Sequence, residues 1–147
     1  MRHPVKWPYG EDRCYHGIDG SENTRIFVER PAFKGGDGKV VEELKPLDPR
    51  VTFSWGYLGS GPNASARAIL KDALGDEPSD RVRLAFTEDF LAHCGKEFKF
   101  RRGAILRWAR GLYAQMGRPG EADVPAVLAM LPPVDRTKYE PRAPGGS

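Results

Sequence analysis

The spacing of apolar positions changes along this chain, and each change predicts a different kind of element. Residues 24–29 alternate, with Ile26 and Val28 on one side and Phe27 on the other, which predicts a strand. Pro31 stops it. Lys34-Gly35-Gly36-Asp37-Gly38 follows, a turn whose glycines and aspartate accept positive φ. Residues 39–44, centred on Val40 and Val41, predict a second strand, and the short Gly-rich link favours antiparallel pairing with the first. Beyond Asp48-Pro49, Val51, Phe53 and Trp55 alternate with Thr52 and Ser54. That is the strongest two-residue period in the chain, and it predicts a third strand over residues 51–57.

From Gly59 the period lengthens. Ala66, Ile69, Leu70 and Ala73 recur at helical spacing and predict a helix over residues 64–74. Ser60 or Gly61 is placed to cap it, Pro62 suits its first turn, and Gly75 ends it. Val82, Phe86, Phe90 and Cys94 recur every four residues and predict a second helix over 79–94, with Ser79 as N-cap and Gly95 just beyond its end. Residues 96–100 read as a short extended link. Ile105, Trp108, Ala109, Leu112 and Met116 form the stripe of a third helix, 101–116, and Asp123 is placed to cap a short fourth one, 124–131. Residues 1–14, with Pro4, Pro8 and Gly10, read as an extended arm. Residues 132–147, polar and rich in Pro and Gly, read as a flexible tail. The expectation is a single domain over residues 15–131 in the α+β class: an antiparallel three-stranded sheet, then three or four helices packed on one face.

Composition fits that size and adds limits. A chain of 147 residues suits one domain with its own core. Its 17 Gly and 13 Pro predict long loops around a modest core. No apolar run is long enough to span a membrane, and the opening Met1-Arg2-His3-Pro4-Val5-Lys6 has no apolar stretch behind it. With only two cysteines, Cys14 and Cys94, a reducing cytoplasmic setting is expected.

Candidate chemistry is sparse. Cys14-x-His16 and His93-Cys94 supply zinc-type ligands, but at no zinc spacing, and adjacent helical residues diverge by about 100°. No metal and no cofactor is expected. Ser60 lies in Gly-Ser-Gly rather than in a nucleophile elbow, and Asp48, Asp72, Asp76, Glu88 and Asp89 form no marked catalytic pair, so no catalytic residue is assigned. Gly59, Ser60, Gly61 and Asn63 open a helix, where outward-facing amides could hold a phosphate or carboxylate. No phosphate-loop lysine follows them, and a tight strand-to-helix corner explains the glycines as well.

Charge is more informative because it is segregated. Lys96, Lys99, Arg101, Arg102, Arg107, Arg110 and Arg118 face Glu97 alone, so residues 96–118 carry +6. The whole chain is +3, which leaves −3 for the rest. Such a segment suits phosphates or an acidic protein patch, and it also suits an ordinary solvated face. Lys96, Lys99, Arg101, Arg102, Arg107 and Arg110 are the expected partner-binding residues.

One segment departs from the generic. Trp55-Gly56-Tyr57-Leu58-Gly59-Ser60-Gly61-Pro62, followed by a helix with Ala68-Ile69-Leu70, resembles a family of small bacterial and phage proteins of unknown function. Tyr15-His16-Gly17 upstream, Phe86 and Phe90, and Ile105-x-x-Trp108 extend the resemblance over roughly residues 15–110. Asn63-Ala64-Ser65 departs from the more apolar run of relatives. The resemblance implies a phage or mobile-element setting and no particular activity. The expected function is therefore a small non-enzymatic accessory protein that binds a host macromolecule. The alternatives are a nucleic-acid-binding protein using residues 96–118, and an enzyme on a phosphorylated small molecule at the 59–63 corner.

Overall fold

A computed structural model describes residues 13–20, 23–31 and 38–116. The class is α+β, as expected, but the sheet has four strands and is assembled differently. Strand β1 (Cys14–Asp19) forms a hairpin with β2 (Thr24–Pro31), which pairs in turn with β3 (Lys39–Leu44). The chain then builds helix α1 (Ser60–Leu74), helix α2 (Asp80–Asp89) and a 3-10 turn at Leu91–His93. Strand β4 (Glu97–Arg101) runs directly into helix α3 (Arg102–Met116). The order across the sheet is β3-β2-β1-β4, and every neighbouring pair is antiparallel.

Two strands thus lie where the sequence predicts none: β1 covers the last residue of the expected arm and five residues assigned no element, and β4 covers most of the expected link. Cys14 starts β1 rather than ending an arm, and the 96–100 link is β4, paired with β1 from Cys14↔Arg101 to Ile18↔Glu97. Conversely, residues 51–57 are not a strand. Phe53 and Trp55 are buried as their alternation predicts, but the segment is tied by other bonds. The Ser65 hydroxyl donates to the Ser54 carbonyl at 2.9 Å and accepts from the Ser54 amide at 3.2 Å. The Trp55 indole donates to the Gly95 carbonyl at 2.6 Å, and the Gly56 amide donates to the Leu91 carbonyl at 2.8 Å. These bonds satisfy backbone groups that a ladder would otherwise take up.

The helix boundaries also shift. α1 begins at Ser60 with Gly59 as N-cap, and Gly75, at φ 83°, closes it by donating to the Lys71 carbonyl. Ser79 caps α2 as expected, accepting from the Val82 amide at 3.3 Å. That helix stops at Asp89, short of Cys94 and Gly95. The expected fourth helix, residues 1–12 of the expected arm, and the tail lie outside the described residues.

The core lies between one sheet face and the helices. Tyr15, Ile26, Val28 and Phe98 point into it from the strands, against Ile69, Leu70, Phe86, Phe90, Ile105 and Trp108. Its aromatic centre is a chain of ring contacts: Trp55 edge-on to Phe98 at 4.7 Å, Phe98 stacked on Phe100 at 4.6 Å, and Phe100 edge-on to Phe90 at 5.1 Å. Such pairs each contribute about 0.5–1.5 kcal/mol beyond the area they bury. No helix among the described residues is long and apolar enough to cross a membrane.

Candidate functional site

The six expected contact residues do not share a face. Arg102 is 7% exposed and donates through Nε to the Ala73 carbonyl at 2.9 Å, so it locks α3 to the end of α1 inside the protein. This corrects its assignment to a binding surface. A guanidinium at a helix start is costly against the helix dipole, but here it satisfies a helix-end carbonyl of α1. Arg107 and Arg110 are half-buried, on a helix whose Ile105, Leu106, Trp108, Ala109, Leu112 and Tyr113 are all buried. α3 is therefore nearly enclosed, and the broad exposed basic side expected of it is a narrow strip. Lys96 is exposed just before β4. Only Lys99 and Arg101, two residues apart on β4, are brought together on one sheet face.

The 59–63 corner is built for packing. Gly61 sits so close beneath the 54–57 turn that a Cβ there would stand 1.8 Å from Ser54 Oγ and 3.0 Å from Tyr57 Oη. Those two hydroxyls are themselves hydrogen-bonded at 2.7 Å. Pro62 is buried in the first helical turn. Gly56 needs its glycine identity for a different reason, its φ of 96°. Asn63 accepts from Arg83 Nε at 3.2 Å, which brings one guanidinium to this corner. What the segment leaves outside is apolar: Tyr57 is 52% and Leu58 56% exposed.

The sheet face turned away from the helices is the larger feature. It carries Cys14, His16 and Ile18 from β1, Arg25, Phe27 and Glu29 from β2, Lys39, Val41 and Glu43 from β3, and Glu97, Lys99 and Arg101 from β4. At its centre His16 bridges two strands: Nδ1 lies 2.8 Å from Glu29 Oε2, and Nε2 meets Glu97. Each ring nitrogen of His16 thus faces one carboxylate, one on β2 and one on β4. Glu29 also pairs with Lys39 and Lys99, each at 3.5 Å. The His16 hydrogen bond, with Lys99 and Lys39 beside it, outweighs burial and holds the Glu29 carboxyl below its usual range. His16 and Glu29 are only 14% and 11% exposed on a face that no described helix covers.

The sequence model of a family of unknown function (DUF6166) matches residues 15–111, well over half of the 147. The chain belongs to this family. No curated protein matches it, and no solved structure matches it. The DUF6166 block runs from the second residue of β1 to Gly111 in α3, so it contains β2, β3, β4, α1 and α2 whole, β1 but for Cys14, and the first ten residues of α3. Tyr15-His16-Gly17, within that block, has three separate uses. Tyr15 is fully buried and donates from its hydroxyl to Asp72 at 2.6 Å, His16 faces outward, and Gly17 lies against Phe98.

Of the carboxylates and thiols weighed as catalytic or metal-binding, Asp48, Asp72, Asp89 and Cys94 have structural partners in this member of DUF6166. Asp72 accepts from Tyr15 and from Arg13 at 2.7 Å, and Asp89 accepts from the Trp108 indole at 2.8 Å. Burial pushes the Tyr15 hydroxyl far above its ordinary value, with the Asp72 charge adding to the effect. Cys94 donates to the Phe90 carbonyl at 3.2 Å. Among the described residues no group of three or more His, Cys, Asp or Glu side chains is gathered as a metal site.

Sequence reasoning missed a trough between β3 and α1. Its apolar end, about 310 Å³, is lined by Leu44, Lys45, Leu47, Ala68, Lys71 and Asp72, with Gly75 at its margin. Leu44 and Asp72 also line a smaller polar end of about 160 Å³, which Arg13 and Arg30 enter. The trough exists because β3, outermost in the sheet, reaches beyond the helices: most of its six residues are exposed. The signal available in the sequence was the weak alternation of residues 39–44, which marks a strand without a fully buried face.

Proposed function

We propose that this chain acts by binding, as a small non-enzymatic accessory protein of a phage or mobile element that engages a host macromolecule. The sheet face turned away from the described helices is its contact surface. The observation that carries this reading is the composition of that face. Lys99, Arg101, Arg25 and Lys39 project around His16, with Ile18 at 40% and Val41 at 50% exposure between them. Cations interleaved with exposed apolar side chains on a hydrogen-bonded sheet lose little entropy when a partner docks. Arg supplies a planar fork that pairs with carboxylates in two places. The host partner is accordingly a protein with an acidic patch. The mobile-element setting draws its support from the Trp-Gly-Tyr segment and its resemblance to phage proteins.

A second reading is favoured by Phe27, which lies half-buried directly opposite His16 among these cations. An aromatic ring flanked by basic side chains on an open sheet is a stacking platform for a nucleic-acid base. Capture from a host lysate with and without nuclease separates the two, together with a salt titration of the purified complex. A protein partner survives nuclease and gives a shallow slope, whereas direct phosphate contacts give a steep fall of log K with log salt. Failure to retain any partner at low salt in either arm would sink both.

A further inference from the structure

We propose that the apolar end of the trough between β3 and α1 is a binding site for a small carboxylate with an apolar body, such as a medium-chain fatty acid. The site is separate from the uncovered sheet face. Two independent features meet there. The first is shape and lining: Leu44, Leu47 and Ala68 form apolar walls around about 310 Å³, at the lower end of the range used for small ligands. The α1 wall is one face of the helix, since Ala68, Lys71, Asp72 and Gly75 recur at helical spacing.

The second is an unbalanced cation. Four cations and three carboxylates line the two ends together. Arg13 is paired with Asp72 at 2.7 Å, Arg30 with Glu42 at 3.0 Å, and Lys45 with Glu43 at 3.4 Å. The Lys71 ammonium alone has no carboxylate partner among the described residues, and it stands at the rim of the apolar end. Asp72 does not repel an incoming anion strongly, because the Arg13 guanidinium and the Tyr15 hydroxyl both donate to its Oδ2. An anion at Lys71 with its apolar body along Leu44 and Leu47 satisfies the charge and removes apolar wall from water. A cationic amphiphile would set its charge against Lys71 and Lys45, and an uncharged one would gain only the apolar part.

The probes are octanoate, octanol and octylammonium, titrated into the purified full chain and followed by amide chemical shifts. Octanoate is expected to saturate, with the largest shifts at Leu44, Leu47, Ala68 and Lys71, and to bind at least tenfold tighter than octylammonium, with octanol between them. Lys71→Glu should weaken octanoate at least tenfold and narrow its gap to octylammonium. Leu47→Glu, at a partly exposed wall position, should weaken all three. Leu47→Glu should keep the parent melting temperature, and Lys71→Glu, in the last turn of α1, should lower it by only a few degrees. Equal affinity for the three probes, unchanged octanoate binding in Lys71→Glu, shifts centred on Tyr57 and Leu58 or on the sheet face, or no saturation would each overturn the proposal. None of these outcomes depends on finding the macromolecular partner.

Discussion

The Phe98 ring occupies the place where any side chain on Gly17 would have to go. The two residues are cross-strand partners in β1 and β4, and a Cβ added to Gly17 would stand 2.2 Å from Phe98 Cε2. Phe98 is pinned from above by Trp55 and from the side by Phe100, so the ring has nowhere to retreat.

Gly17→Ala should therefore destabilise the protein by about 1–3 kcal/mol, the usual range for an overpacked core. Without the ring the same change should be favourable by about 0.5–1 kcal/mol, because glycine inside a strand is entropically costly. The sign is thus diagnostic. In a Phe98→Ala background the penalty should vanish, and a urea-denaturation double-mutant cycle measures that coupling. Additive effects would show that the ring does not lie over Gly17.

The same pair explains where the sequence was opaque. Gly17 and the polar Asp19 make residues 14–19 look like a connection, yet Gly17 is the condition for seating Phe98. A glycine demanded by a residue some 80 positions away leaves no local trace. Phe98 and Phe100 do alternate, but five residues between Gly95 and a helix are too few to announce a strand. Residues 51–57 failed in the opposite sense. Phe53 and Trp55 are buried, so the period was real, but period reports burial and not pairing. β1 has β2 and β4 on its two sides, and the 51–57 segment bonds to Ser65, Leu91 and Gly95 instead. The helical stripes were legible because three or four apolar residues per two turns leave little ambiguity. Of the expected site, the charge excess was legible and its dispersal was not. Arg102 reads like its neighbour Arg101, and only the packing of α3 on α1 sends one inward and the other out.

The His16–Glu29 bridge should give the fold an acid-sensitive component. The folded-state Glu29 carboxyl ionises below its ordinary 4.5, chiefly because His16 hydrogen-bonds to it. The unfolded chain therefore takes up this proton more readily than the native one. The stabilisation is complete above pH 4.5 and fades as pH falls through the depressed native value. Urea midpoints for the parent and Glu29→Gln should be well separated at pH ~6 and draw together as pH falls below 4.5. A gap that stays constant over that range would show that Glu29 acts by packing alone.

Cys94 should behave as an inert thiol. Burial pushes it up to about 12, from an ordinary 9.0. At pH 8 only about one molecule in ten thousand then carries the reactive thiolate. In a Cys14→Ser variant, the native protein should react with a thiol reagent only as fast as it opens, and at once in denaturant. Between pH 9.0 and about 12 the unfolded thiol loses its proton first, so stability should decline as pH rises through that window. Rapid native-state labelling at pH 8 would contradict the packing of residues 90–94.

The binding surface is tested by moving the charge reversal from the helix to the sheet. Lys99→Glu with Arg101→Glu alters two exposed side chains on the uncovered face. Lys99 gives up a 3.5 Å pair with the largely buried Glu29, which keeps His16 and Lys39 as partners, so the fold should survive. Partner capture should be lost, because two attractive contacts become repulsive toward an acidic surface. The comparison is Arg107→Glu with Arg110→Glu. Both arginines are half-buried on a helix with nine buried residues, so their reversal should lower the melting temperature before it says anything about binding. Arg81→Glu, on the exposed side of α2, is a charge reversal away from both surfaces and should change neither. Melting temperature and capture must therefore be read together. Loss of capture with an unchanged melt in the sheet variant alone assigns the interaction to β4 and its neighbours. Capture that survives in that variant sends the search to Tyr57 and Leu58, the exposed apolar pair next to the Gly59 cap of α1.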